Sequence, residues 1–350
     1  MAQFSHIIAA IDAHTAGEPA RIVLTGLPPI LGNTMAEKQR YAKTKLDHLR
    51  TLLMQEPRGH KDMFGIILTP PTSERADYGV LFIDSAGYID MCGHGIMAVT
   101  TALIEIGMVP PIGPETAVLF DTPAGLVEAR ASIEGNEVVD VSVANVPSFL
   151  YARDVAIELP ELGRISVDVA FGGNFFALVP AQALGISVQP GNTTRLIELG
   201  MAVKRALNAK FTVQHPIVAH INRVELTEIY DKPESSPAVS KSVVIFGDGQ
   251  LDRCPCGTGT SAAMALAYAQ GELPLGIEYI NEGIIGTQFR GKLLREVRVG
   301  DLVAVEPVVT GTAYLTGMQQ FVADPHDPFK YGFLVSSTDD RTPVIHDRSG

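Results

Sequence analysis

Two heptapeptides, one in each half of the 350-residue chain, share the pattern Cys-Gly-x-Gly-x-x-Ala: Cys92-Gly93-His94-Gly95-Ile96-Met97-Ala98 and Cys256-Gly257-Thr258-Gly259-Thr260-Ser261-Ala262. Each runs on into an Ala-rich apolar stretch, which predicts a thiol at a helix start. A Gly-rich turn entering a helix leaves backbone N–H groups unpaired, and the helix dipole favours negative charge there, so a Cys at that spot tends toward thiolate. A pair of thiols facing opposite sides of one carbon suits inversion of a stereocentre. One thiolate removes the Cα proton from one face while the other thiol delivers a proton to the opposite face. A single base would mainly return the proton to the face it came from. The oxyanion that develops on a substrate carboxylate would be held by the amides of both turns.

Asp252 stands four residues before Cys256, at the mouth of the same turn. It reads either as a partner for a substrate ammonium or as a plain capping charge. His94 either tunes and orients the Cys92 thiol or is a backbone-bonded structural residue. Cys92-x-His94 with Cys254-x-Cys256 could form a Cys₃His zinc site and hence a metal-stabilised binding module. One-residue spacings are tighter than the usual two to four, however, so no metal is expected. No cofactor is expected either, since no Gly-x-Gly-x-x-Gly opens a helix after a strand and no Walker lysine follows a Gly-rich loop. A cysteine hydrolase would have no use for a second, symmetric thiol.

The elements that must position these residues read as β-rich. Phe4–Ile11 and Arg21–Gly26 are expected as strands joined by a loop over 14–19, and Asn33–Gln55 as one helix with Leu46, Leu49, Leu52 and Leu53 on one face. Phe64–Thr69 and Tyr78–Asp84 should be strands feeding the first Cys helix, expected over Cys92–Met108. Glu137–Val143 and Arg164–Phe171 are expected strands, and Asn192–Lys210 a helix. His220–Tyr230 and Ser242–Phe246 are strands before the second Cys helix, and Glu278–Phe321 is again β-rich. The expected fold is α/β (α+β), in two pseudo-symmetric halves, each a curved sheet around a central helix. The N-terminal half would be residues 1–150, completed by 325–350, and the C-terminal half 151–324.

A composition of 46% apolar and 19% charged residues is that of an ordinary globule, and the net charge of −12 argues against nucleic acid or an anionic membrane as partner. A small molecule is the expected partner. No apolar run approaches a membrane span, and the start Met-Ala-Gln-Phe-Ser-His lacks the marks of a secretion signal. Three cysteines are too few, and odd in number, for a disulfide framework, so a cytoplasmic location is expected.

The stretches Ile11–Glu18, Glu56–Gly65, Asp90–Gly95, Phe171–Phe176, Val244–Gly247, Asp252–Ala262 and Gly311–Gly317 span nearly the whole chain in one order. Together they resemble the proline racemase family, which has the diaminopimelate epimerase fold. The resemblance implies that Cys92 and Cys256 are the acid/base thiols, that Asp252 binds the substrate nitrogen, and that Gly93, His94, Gly257 and Thr258 form the turns whose amides hold the carboxylate. Family members that dehydrate 3-hydroxyproline carry Thr where Cys256 stands, so two thiols imply racemisation or epimerisation. Phe64 and Phe246 match the aromatic pair that packs an unsubstituted ring in proline racemases, although a Phe at a strand end is commonly core. Cys254 replaces the Ser of the usual Asp-Arg-Ser-Pro-Cys. The implied activity is cofactor-independent interconversion of L- and D-proline by a homodimer. The alternatives are a 4-hydroxyproline 2-epimerase and, further off, a trans-3-hydroxy-L-proline dehydratase.

Overall fold

The computed structural model describes residues 4–135, 137–233 and 237–335. Strands β1 (His6–Thr15) and β2 (Glu18–Thr25) form a hairpin. Its turn is only Ala16 and Gly17, at φ 51° and 97°, the pair of positive values that matches a two-residue turn to strand twist. The expected six-residue loop is therefore mostly strand. The expected single helix over 33–55 breaks at Leu46 (φ −124°) into α1 (Met35–Lys45) and α2 (Asp47–Met54). At the start of α1, Thr34 Oγ1 accepts the Glu37 N–H at 3.2 Å while the Glu37 carboxylate accepts the Asn33 N–H at 2.8 Å, a reciprocal cap.

The first half continues through β3 (Phe64–Thr69), β4 (Tyr78–Asp84), β5 (Tyr88–Ile89), α3 (Gly93–Glu105), β6 (Glu115–Thr122), β7 (Gly125–Glu134) and β8 (Glu137–Ala144). The chain then runs through β9 (Phe149–Leu159), β10 (Gly163–Phe171), β11 (Phe175–Pro180), α4 (Thr193–Lys210), β12 (Val224–Asp231), β13 (Ser240–Phe246), β14 (Gln250–Leu251), α5 (Gly257–Ala269), β15 (Glu278–Glu282), β16 (Gln288–Val299), β17 (Leu302–Gly311) and finally β18 (Ala313–Ala323). The pairings repeat. β2·β3 is parallel, β3·β4 antiparallel and β4·β6 parallel; β11·β12, β12·β13 and β13·β15 follow the same sequence of directions. An antiparallel contact between β8 and β17 joins the two sets.

β18 pairs with β1 along ten residues, as β9 pairs with β10. On this pattern we propose that the first half is β1–β8 closed by β18, and the second β9–β17. The segment that returns to the first half thus begins near residue 313, upstream of the 325–350 expected from sequence. Residues 325–335 follow it and touch the first half through a Glu56–Phe333 bridge, while 336–350 lie outside the described residues.

Each sheet wraps one helix. α3 is buried from Gly93 to Ile104, apolar all round as a central helix must be, and α5 is buried over most of its length. α2 and α4 lie on the opposite sheet faces, where Met54 meets Gly65 and Ile245 meets Gly200. The two central helices meet at their first residues. A methyl at Gly93 would sit 2.9 Å from the Gly257 Cα, and one at Gly257 would sit 2.9 Å from the Gly93 Cα. Backbone on both sides leaves nothing flexible to yield.

Gly93→Ala and Gly257→Ala should therefore each cost about 1–3 kcal/mol, read as a lowered denaturation midpoint. Gly87→Ala, whose methyl meets nothing within 4 Å, should change stability by less than about 0.5 kcal/mol. Equal midpoints for all three variants would show that the helix starts do not touch.

Candidate active site

Cys92 is the N-cap of α3, and its Sγ accepts the Gly95 N–H at 3.3 Å. Cys256 caps α5 in the same way, with Sγ accepting the Gly259 N–H at 3.4 Å and lying 3.5 Å from Thr258 Oγ1. Cys92 has ordinary extended backbone (φ −145°), whereas Cys256 sits at φ 61°, ψ 109°. A non-glycine residue held there is strained, as is common where a side chain must be aimed. Both turns are clamped from outside their helices. Asn174 donates from Nδ2 to the Met91 carbonyl at 2.7 Å and accepts the Asp90 N–H at 3.2 Å, and Thr15 Oγ1 donates to the His94 carbonyl at 2.9 Å. Asn281 Nδ2 donates to the Pro255 carbonyl at 3.1 Å and to Thr260 Oγ1 at 3.0 Å.

The thiols are not the ready thiolates that a helix start alone would make. Burial pushes both well above the ordinary cysteine range, and the Asp252 charge adds to it; the amides of Gly95 and Gly259 pull the other way and lose. His94 does not reverse this. Its Nδ1 lies 3.1 Å from Cys92 Sγ, but burial lowers its pKa to about 3, leaving a neutral ring that donates to the Pro19 carbonyl. His94 lies against the sulfur and brings no positive charge to it.

Asp252 is fully buried just after β14, and its Oδ1 accepts the Cys254 N–H at 2.9 Å. Cys256, not Asp252, caps α5. Burial raises Asp252 to about 6, against hydrogen bonds from Cys254 and Cys256. Beside it lies Glu18, at the start of β2 and completely buried, a residue to which sequence reasoning gave no role. Its Oε2 accepts the Arg253 N–H at 2.7 Å, while its Oε1 has no hydrogen-bond partner among the described residues. Burial, then the Asp252 charge, holds Glu18 far above the usual carboxylate range. The Arg253 guanidinium is bound to Asp62 at 2.9 Å and to the Leu251 carbonyl at 2.6 Å.

Phe64 at the start of β3 and Phe246 at the end of β13 face each other edge-on, with centroids 6.4 Å apart, and Phe64 stands 4.5 Å from the His94 ring. Both are buried. Cys254 is buried too, and its Sγ accepts the Cys256 N–H at 3.3 Å, a contact a serine oxygen could also make. The Cys₃His set is not what the fold gathers. Among the described residues, the potential ligand atoms within 4.8 Å of one another belong to His94, Asp252 and Cys254, a set without Cys92 and Cys256.

Two sheet-wrapped helices whose thiol-capped starts meet beside buried carboxyl groups define an isomerase of the diaminopimelate epimerase fold. The chain belongs to the proline racemase family: the family model described as Proline racemase matches residues 10–334. It is 48% identical over 333 residues to the proline racemase of Clostridioides difficile, covering 95% of this chain and 99% of that one. It is 43% identical over 326 residues to the 4-hydroxyproline 2-epimerase of Streptosporangium roseum, covering 93% and 98%. The crystal structure of a hydroxyproline epimerase from Agrobacterium vitis, with bound trans-4-OH-L-proline, matches with a TM-score of 0.91 at 33% identity, over 96% of this chain and 98% of that one.

The raised thiols give a direct expectation. Iodoacetamide should alkylate Cys92 and Cys256 slowly at about pH 7, with rates still climbing at about pH 9. A plateau reached below about pH 8 would show that the helix ends, and not burial, set the thiol acidity.

Proposed function

We propose that this chain is a cofactor-independent proline racemase, in which Cys92 and Cys256 exchange the Cα proton of L- and D-proline from opposite faces. The observation that supports this best is the contact of Gly93 with Gly257, the first residues of two thiol-capped helices. The substrate carboxylate is received by the amides of Gly93, His94, Gly257 and Thr258, where the two dipoles converge, the His94 amide being shared with the Cys92 sulfur. The secondary ammonium of proline carries two N–H donors. Asp252 accepts one, and the free Oε1 of Glu18 is suited to the other. Arrival of that positive charge offsets the carboxyl groups that hold the thiols up, so one sulfur can release its proton.

That sulfur then takes the Cα proton, and negative charge moves onto the carboxylate, where the amides hold it. The other sulfur gives its proton to the opposite face and is left as the thiolate. Each turnover thus exchanges the roles of the two cysteines. The catalytic thiols need a reducing compartment, so we place the enzyme in the cytoplasm, as the homodimer that the family resemblance implies.

Phe64 and Phe246 line the far edge of the ring in this reading. A 4-hydroxyl buried against them would lack a hydrogen-bond partner, at about 1–3 kcal/mol or roughly 10- to 100-fold in efficiency. L-proline, trans-4-hydroxy-L-proline and trans-3-hydroxy-L-proline should be compared by optical rotation and ketimine formation. Proline is expected to be preferred by about that factor. Faster turnover of the 4-hydroxy compound would make the protein a hydroxyproline epimerase, and a ketimine from the 3-hydroxy compound would make it a dehydratase. Cys92→Ser and Cys256→Ser should each abolish racemisation with the circular dichroism unchanged. Because Asp252 must be ionised to hold the ammonium, the fall of kcat/KM that the thiols cause on acidification should steepen below about pH 6, and Asp252→Asn should remove that added steepness while raising KM. Unchanged steepness in Asp252→Asn would assign it to another group.

A further inference from the structure

The two halves differ at one buried position behind the thiols. Gly95 in α3 packs on Ile66 and Phe82, which pair across β3 and β4; an added methyl would meet their side chains at 3.2 and 3.3 Å. Gly259 in α5 packs on the corresponding pair of β12 and β13, Glu228 and Val244, at 2.8 and 3.2 Å. Where the first half has an isoleucine, the second has a carboxyl group. Glu228 is wholly buried; neither of its oxygens has a well-aligned hydrogen bond among the described residues, and the Ser242 hydroxyl is the one polar group close enough to stabilise its charge. Its Oε2 lies against the glycine whose N–H donates to Cys256 Sγ. An acid kept in that position, where its symmetry mate is apolar, is costly unless its charge is used.

The surroundings say which group would feel that charge. α4 covers the other face of the sheet, where Thr227 Oγ1 donates to the Gly200 carbonyl, so no cation of α4 neutralises Glu228. The Asp252 charge bears on Glu228 and the Glu228 charge bears on Cys256; Ser242 offers the nearby hydroxyl, and the phenols of Tyr230 and Tyr279 are held protonated in part by Glu228. Cys92 instead feels Asp252 and Glu18.

We infer that Glu228 is a positioning acid that makes the two thiols inequivalent: as a carboxylate it withholds the thiolate form from Cys256 and leaves the thiolate to Cys92. Burial raises Glu228 to about 8, so this bias switches on across the mildly alkaline range. The inference rests on the two-thiol racemase reading. It predicts that one enantiomer, the one whose proton must be taken by Cys256, meets a shrinking share of the thiolate enzyme as pH rises, Cys92 holding the rest. Because L- and D-proline are equal in free energy, kcat/KM must stay equal in the two directions. The bias therefore shows as a KM that rises for one enantiomer, with a matching rise in kcat.

Peptide-resolved iodoacetamide labelling, which needs no turnover, tests the charge effect by itself. Between about pH 7 and pH 9.5 the ratio of Cys256 to Cys92 labelling rates should fall at least about threefold in the wild type. It should not show that fall in Glu228→Gln or in Glu228→Leu, which copies the apolar first half; any contribution from Glu18 stays in all three. The ratio of KM values for L- and D-proline should drift over the same range in the wild type and stay constant in the variants. A constant labelling ratio in the wild type, or the same fall in either folded variant, overturns the inference. Absence of proline turnover with the labelling shift intact would instead strike at the racemase reading alone.

Discussion

The structure turns on the contact between Gly93 and Gly257, which brings two helix N-termini together with no side chain between them. Like ends of two helix dipoles repel, so the contact is unfavourable by itself and must be imposed by the rest of the molecule. The sheets impose it. Each grips a helix that is apolar around its whole circumference, and Thr15, Asn174 and Asn281 tie the turns down by hydrogen bonds from outside the helices. What results is a concentrated source of unpaired amides, complementary to an anion.

The opposite charge preference lies beside it. Glu18, Asp252 and Glu228 are all buried, and each sits above its ordinary pKa, with burial the largest cause. Asp252 also works against Glu18 and Glu228. Carboxyl groups so placed favour a cation, where the helix starts favour an anion. In the function proposed above, a zwitterion with its two charges one carbon apart would satisfy both and bring its Cα between the two caps. The same balance governs the thiols, which burial and the carboxyl charges hold up in the protein alone and which, in the proposed function, an ammonium would release. In that proposal, binding and activation are one electrostatic event.

Much of this was legible in the chain. The repeated Cys-Gly-x-Gly turn marked both thiols, and the strands over Phe64–Thr69 and Tyr78–Asp84 have the expected limits, because bounded β-branched and aromatic runs carry a strong local signal. The helix break at Leu46 was hidden since the leucine spacing runs on through it, and the Ala16-Gly17 turn because nothing in the loop's composition fixes its length. The return of β18 to β1 joins residues some three hundred positions apart, beyond any local pattern. The acidity of the thiols was misjudged for a related reason: the helix end is local, while the burial that outweighs it comes from strands far away in sequence. Glu18 and Glu228 were missed because an acid, whether in the expected loop over 14–19 or in the expected strand His220–Tyr230, reads as a solvated side chain until its neighbours are known.

The central claim is that two different groups handle the proton on the two faces of one carbon. Racemisation of L-proline in deuterium oxide, stopped after a small fraction has been converted, tests it most directly. The account predicts deuterium at Cα of the D-proline formed and protium retained in the L-proline recovered, because the proton taken by one sulfur is not the one delivered by the other. Equal deuterium in both enantiomers at that stage, or retained protium in the product, would mean that one group serves both faces and would contradict the account.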